Sequence, residues 1–152
     1  MTKTRQTDLI MRMYENVSGR EAMEALFRVG SSKFTSFEDY AKEYGLTDVA
    51  EVIGIFERVG LLLEQNLIDI RLVDRFFGGM VATMWEKVEP VTDGMRKALN
   101  QPYLGMHFEY LYYRMRVYGE SSEWKKDHSH WKKYEKKYGL PRPSLYPDRT
   151  AS

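Results

Sequence analysis

From Val52 to Tyr112 the apolar residues of this chain recur every three or four positions, and that rhythm admits few solutions other than helices packed on helices. Along Ile70 to Leu99 alone, Leu72, Val73, Phe76, Phe77, Met80, Val81, Met84, Trp85 and Val88 form one broad stripe. Pro90 interrupts it. A proline inside a helix removes a backbone hydrogen bond and crowds the preceding turn, so a kink at Pro90 or a break just before it is expected. Gly78-Gly79 lies within the same stripe and reads as room for a bend or a close helix approach. It is not a phosphate loop, which needs further glycines between a strand and a helix.

The flanking segments carry the same signature. A short helix is expected over Thr7 to Tyr14, with Leu9, Ile10, Met13 and Tyr14 on one face, and Gly19 separates it from a second over Arg20 to Val29. Gly30-Ser31-Ser32 ends that one. Thr35-Ser36-Phe37-Glu38 has the form of a capping box, with Thr35 as the cap of a helix that reaches Tyr44 and stops at Gly45. A cap signal at Asp48 to Glu51 opens a central helix to about Glu64, which carries a wide apolar face of Val49, Val52, Ile53, Phe56, Val59, Gly60 and Leu63. Asn66 marks a turn, Asp69 caps the next helix, and Asn100-Gln101-Pro102 marks a second turn. Tyr103 to Tyr118 is the last core helix, and Gly119-Glu-Ser-Ser reads as a hinge. No strand alternation and no internal repeat is present. The expected fold is therefore all-α: an irregular bundle of about six or seven helices with a C-terminal amphipathic helix. Residues 1–118 form the bundle, and residues 119–152 an aromatic and lysine-rich helix with a Pro-rich tail.

Composition narrows the chemistry. A chain of 152 residues with 43% hydrophobic and 30% charged residues suits one globular domain with a real core. The formal net charge of +1 gives no whole-molecule pull toward nucleic acid or acidic lipid. Without cysteine there is no disulfide, thiolate zinc site, iron–sulfur cluster or Cys nucleophile. The first residues lack the apolar run of a signal peptide, and the longest apolar stretch, Val59 to Leu63, is far short of a membrane span. The expected location is cytoplasmic, with a peripheral place at a membrane left open.

The order of several short segments carries a resemblance. Phe37-Glu-Asp-Tyr is followed by Glu57-Arg-Val-Gly-Leu-Leu and Gln65-Asn-Leu-Ile-Asp, then by Phe77-Gly-Gly-Met, Trp85-Glu-Lys-Val-Glu-Pro and Phe108-Glu-Tyr-Leu. From about Val17 to Met115 this resembles an uncharacterised prokaryotic family known as a domain of unknown function. The resemblance implies a small helical domain, often placed behind an N-terminal membrane anchor. It implies no activity, ligand or functional residue. Against that resemblance, no anchor is expected within the residues from Met1 onward, and an aromatic–lysine segment follows the matching part.

The best functional candidate in the sequence is that last segment. Trp124, Trp131 and Tyr138 are spaced by seven, with Tyr134 between them, which predicts an aromatic seam along a helix from about Ser122 to Tyr138. Lys125, Lys126, Lys132, Lys133, Lys136 and Lys137 flank the seam. Trp124, Lys125, Trp131, Lys132, Tyr134 and Tyr138 are the candidate interaction surface. Such a helix can dock on a partner or a second copy, lie on a membrane, touch nucleic acid, or pack its rings on its own body. Other patterns have plainer readings. Ala41, Gly45, Leu46 and Val49, then Val59-Gly60-Leu61, have the cadence of a helix-turn-helix, but Asp48, Glu51 and Glu57 would repel DNA, and two packed core helices fit better. His128 and His130, beside Asp127, diverge on a helix and have no evident third metal ligand. His107 and Glu109 lie on different sides of theirs, and Glu86 and Glu89 read as surface ion pairs near Lys87 and Arg96. No catalytic, metal or cofactor residue is nominated. The reading is a non-enzymatic helical protein-interaction module, possibly self-associating. The alternatives are membrane or nucleic-acid contact through the tail helix, and a ligand-binding or enzymatic bundle with an unrecognised pocket.

Overall fold

A computed structural model describes residues 2–139, apart from the side chains of Trp131, Tyr134 and Glu135. Among the described residues there are nine helices and no strand, so the fold is all-α. They are α1 (Lys3–Ser18), α2 (Arg20–Ser31), α3 (Phe37–Tyr44), α4 (Thr47–Glu64), α5 (Ile70–Phe77), α6 (Gly79–Ala98), α7 (Met106–Gly119), α8 (Ser122–Asp127) and α9 (Trp131–Tyr138). None is long and apolar enough to cross a membrane.

The count exceeds the expected six or seven because two predicted helices are each broken once. The first break does not fall before Pro90, which removes that one of the two expected outcomes there. Pro90 stays inside α6, and the chain parts instead at Gly78, whose φ of 43° and ψ of −130° suit only a residue without a side chain. Downstream of Pro90 the buried Thr92 hydroxyl donates to the Val88 carbonyl at 2.8 Å, a side-chain bond within the helix interior. The second break lies at His128–His130, where the single tail helix expected over Ser122 to Tyr138 divides into α8 and α9.

The cap signal at Asp48 is not used as a cap, since α4 opens at Thr47 without a side-chain cap and Asp48 binds Arg28 instead. Most of the other turn signals are obeyed. Gly45, Asn66 and Asn100 all adopt positive φ after a helix, and the Asp69 carboxylate accepts from the Arg71 amide at 2.8 Å. The α3 cap is displaced by one residue from the expected Thr35. Ser36 accepts from the Asp39 amide at 3.1 Å, while the Thr35 hydroxyl donates to the Asp39 side chain.

Helix α4 is the axis of the body, with α7 along one side and α2 along another. Its apolar residues Val49, Val52, Ile53, Phe56, Val59 and Leu63 are buried. The approach to α7 is set by Gly60, where a Cβ would lie 2.0 Å from the His107 carbonyl oxygen. From there a chain of rings crosses the core: Phe77 on Phe56 at 6.1 Å, Phe56 on Phe108 at 4.7 Å, and Phe108 edge-on to Trp85 at 5.0 Å. Helix α3 lies over α6 at Gly94, where a Cβ would meet the Phe37 ring at 2.1 Å.

Candidate interaction surface

The sequence of α7 carries apolar and aromatic residues on two opposite sides, with charged residues between them, and an apolar side of a helix is normally covered. Here only one side is covered. Phe108, Leu111, Tyr112, Met115 and Tyr118 are buried against the body. On the opposite side Met106, Tyr113 and Val117 are 41%, 54% and 70% exposed, with Tyr110 half-buried among them. At 3.6 residues per turn these four fall within an arc of about 60°, so they form one continuous stripe. Tyr103, in the turn before α7, is also exposed beside its Met106 end.

Charged groups rim the stripe. One flank carries Glu109 and Arg116, the other His107 and Arg114. The Arg114 guanidinium lies over the Tyr110 ring at 5.5 Å and donates to its hydroxyl. Arg96 on α6 stands 3.7 Å from Glu109 and donates to the Leu104 carbonyl at 2.7 Å, tying the loop before α7 to α6.

At its start α7 is held from α4. His107 Nδ1 lies 3.2 Å from Glu57 Oε2 and its Nε2 lies 3.0 Å from Glu64 Oε2. The other Glu57 oxygen accepts from the Phe108 amide at 2.7 Å, which satisfies one of the free donors at the helix N-terminus. Both imidazole nitrogens face carboxylates, so the ring is a clamp rather than an available base. Sequence reasoning missed this cluster. The seven-residue spacing of Glu57 and Glu64 puts them on one face of α4, but nothing local joins them to a histidine some fifty positions later.

A second polar cluster receives the tail. The Asp74 carboxylate, 5% exposed on α5, lies 2.8 Å from His128 Nε2, and His128 Nδ1 faces the Trp124 carbonyl at 2.8 Å. The Trp124 ring stacks on His128 at 4.3 Å and is itself buried. Tyr118 donates to Asp127 at 2.8 Å, and burial together with that bond pushes its phenol well above the usual range. Burial pushes the Asp74 carboxyl up, while His128 and the Trp124 indole favour its charged form and oppose that shift. Asp74 is thus both buried and paired.

These positions revise the sequence-derived surface. Trp124 faces the body, because its ring covers the Asp74–His128 pair. Lys125 and Lys132 are exposed, and Tyr138 is exposed with Lys137 Nζ 5.3 Å from its ring centre. The side chains of Trp131 and Tyr134 lie outside the described residues. The break between α8 and α9 means that Trp124 and Tyr138 do not share one helix face. The helix-turn-helix cadence belongs to α3 and α4, whose Tyr40, Val49 and Val59 are core residues and whose Asp48 is held by Arg28 at 2.7 Å. Glu86 accepts from the Tyr112 hydroxyl at 2.9 Å. Among the described residues no group of three His, Cys, Asp or Glu side chains is placed to hold a metal ion. A solvent-open hollow of about 270 Å³ lies by Gln6, Asp69 and Arg114, where the Gln6 side chain accepts from the Asp69 amide at 3.1 Å.

A family model described as "Domain of unknown function (DUF4760)" matches residues 1–115, from the start of the chain to within α7. No curated protein and no solved structure matches the chain.

Proposed function

The chain belongs to the DUF4760 family through residues 1–115, and from that premise we propose that it is a non-enzymatic helical interaction module whose contact face is the outward stripe of α7. The observation that carries this reading is the exposure of Met106, Tyr113 and Val117 along one line of a helix whose other side is core. Aromatic residues and Met rimmed by Arg and Glu have the composition of a protein contact patch. The polar clusters support the same reading, because His107 and His128 each have both ring nitrogens turned toward protein acceptors. The module works in the cytoplasm, where a chain without cysteine loses nothing to a reducing milieu.

The test is photo-crosslinking in cells from a benzophenone amino acid placed at Tyr113 or Val117, with exposed Lys42 as the control position. Protein adducts from the two α7 positions and not from Lys42 are expected. Equal yields from all three positions, or none, would remove α7 as the contact face.

A second reading is favoured by the exposed Lys132, Lys133, Lys136 and Lys137 on α9, which suit an anionic membrane or nucleic acid. Salt-sensitive binding to acidic vesicles or RNA, abolished by Lys132→Glu with Lys136→Glu, supports it; no binding at low salt ends it.

A further inference from the structure

We infer that the occupant of the α7 stripe is a second copy of this chain, bound with the two α7 helices antiparallel. The inference rests on the stripe being a contact face and adds the identity and direction of the partner. The stripe reads alike from either end. Reversed about its midpoint, between Leu111 and Tyr112, it sets Met106 opposite Val117 of the second copy and Tyr110 opposite Tyr113. Aliphatic groups then meet at both ends and aromatic rings at the centre.

The flanking charges decide the direction. In an antiparallel pair the two-fold axis runs across the helices, so each flank faces the same flank of the other copy. On one flank Glu109 then comes opposite Arg116. On the other, the His107 site, with its Glu57 and Glu64 carboxylates, comes opposite Arg114. Each pairing is displaced from the stripe's midpoint register by two residues, about 3 Å along the axis, which long side chains span. A parallel pair exchanges the flanks. Arg116 would then stand beside Arg114, and Glu109 beside the two carboxylates at His107, a like-charge contact on each side that Glu120, 3.6 Å from Arg116, and Arg96, 3.7 Å from Glu109, offset only in part. Opposed like charges across an interface are costly, and complementary ones set register and orientation.

The absence of cysteine makes the geometry directly testable. Met106→Cys and Val117→Cys chains are prepared separately and oxidised alone and mixed. Antiparallel pairing predicts a mixed disulfide and little self-linked dimer from either chain alone. Eleven residues set the two Val117 positions about 16 Å apart, beyond the Cα separation of about 7 Å that a disulfide tolerates. Self-linking of each variant alone would indicate parallel pairing and overturn the inference. Sedimentation of the intact wild-type chain across about 1 to 100 μM should show reversible dimer, since a single-helix contact is a small and weak interface. Glu109→Arg should weaken that dimer about tenfold, and adding Arg116→Glu should restore it, with helical content unchanged throughout. An intact chain that stays monomeric overturns self-pairing. Dimers appearing only after truncation behind Gly139 would name residues 140–152 as the occupant instead. If the chain stays monomeric yet cellular crosslinks from Val117 persist, only the choice of partner has failed and the contact face stands.

Discussion

A methyl group added at Gly60 would lie 2.0 Å from the His107 carbonyl oxygen, whereas one added at Gly54, on the same helix, would meet nothing within 4 Å. The two positions should therefore respond with opposite sign. Gly60→Ala forces α4 and α7 apart at their tightest point and should cost about 1–3 kcal/mol of stability, as overpacking does. Gly54→Ala removes backbone freedom from the unfolded chain and should gain about 0.5–1 kcal/mol. Urea denaturation of both variants checks this, and a loss at Gly54 would show that its surroundings are tighter than described. In the sequence both are glycines in one helical stretch. Gly60 belongs with the apolar face by its register, but only the position of the His107 backbone makes it indispensable. The same holds for Glu57 and His107: each residue was visible, and their meeting was not.

Helices α2 and α4 are joined by a bidentate pair, Arg28 Nε and Nη2 to the two Asp48 oxygens at 2.7 and 3.0 Å. The Arg28 hydrogen bond holds the Asp48 carboxyl below its ordinary value against the opposing effect of burial, and Arg71 does the same to Asp69 at the start of α5. A carboxyl lowered on folding stabilises the native state above its unfolded pKa, near 3.9, and that contribution is lost as pH falls through the folded value. Asp48→Asn should accordingly show a smaller loss of stability than wild type when taken from pH 5 into this acid range, read from urea midpoints at each pH. An identical acid dependence would mean that the pair contributes nothing measurable. The breaks between elements also belong to this scale. Pro90 is the stronger breaker by composition, yet α6 runs through it and the chain turns at Gly78. Tertiary packing tolerates one missing hydrogen bond inside a well-covered helix, whereas the backbone at Gly78 is one that side chains avoid. Gly78→Ala should cost about 1–3 kcal/mol in the same assay for that reason; an unchanged midpoint would show that the turn accepts a Cβ.

For the molecule as a whole, α8 is fastened to the body by Asp74–His128, the Trp124–His128 stack and Tyr118–Asp127. His128→Ala removes the cation-capable partner of a buried carboxylate, and undocking α8 is the way to return Asp74 to water. Hydrogen exchange should accelerate over residues 121–128 while α4 and α7 keep their protection. Loss of protection in all three together would show instead that α8 is part of one cooperative core. Periodicity, glycine and proline placement, and the absence of cysteine determined by themselves that this chain is all-α, where most of its turns fall, and which thiol-based chemistries it lacks. These are local properties, set within a few residues by backbone preference and side-chain spacing. Which way an aromatic face points is not local. Trp124 was visible as part of a seven-residue aromatic pattern, but it turned inward because Asp74, fifty positions earlier, needed His128 and cover from water. The stripe of α7 was left outward because α4 and α6 already occupied its other side. Only the tertiary structure decided those two outcomes, since the competition for burial is settled between residues far apart in the chain.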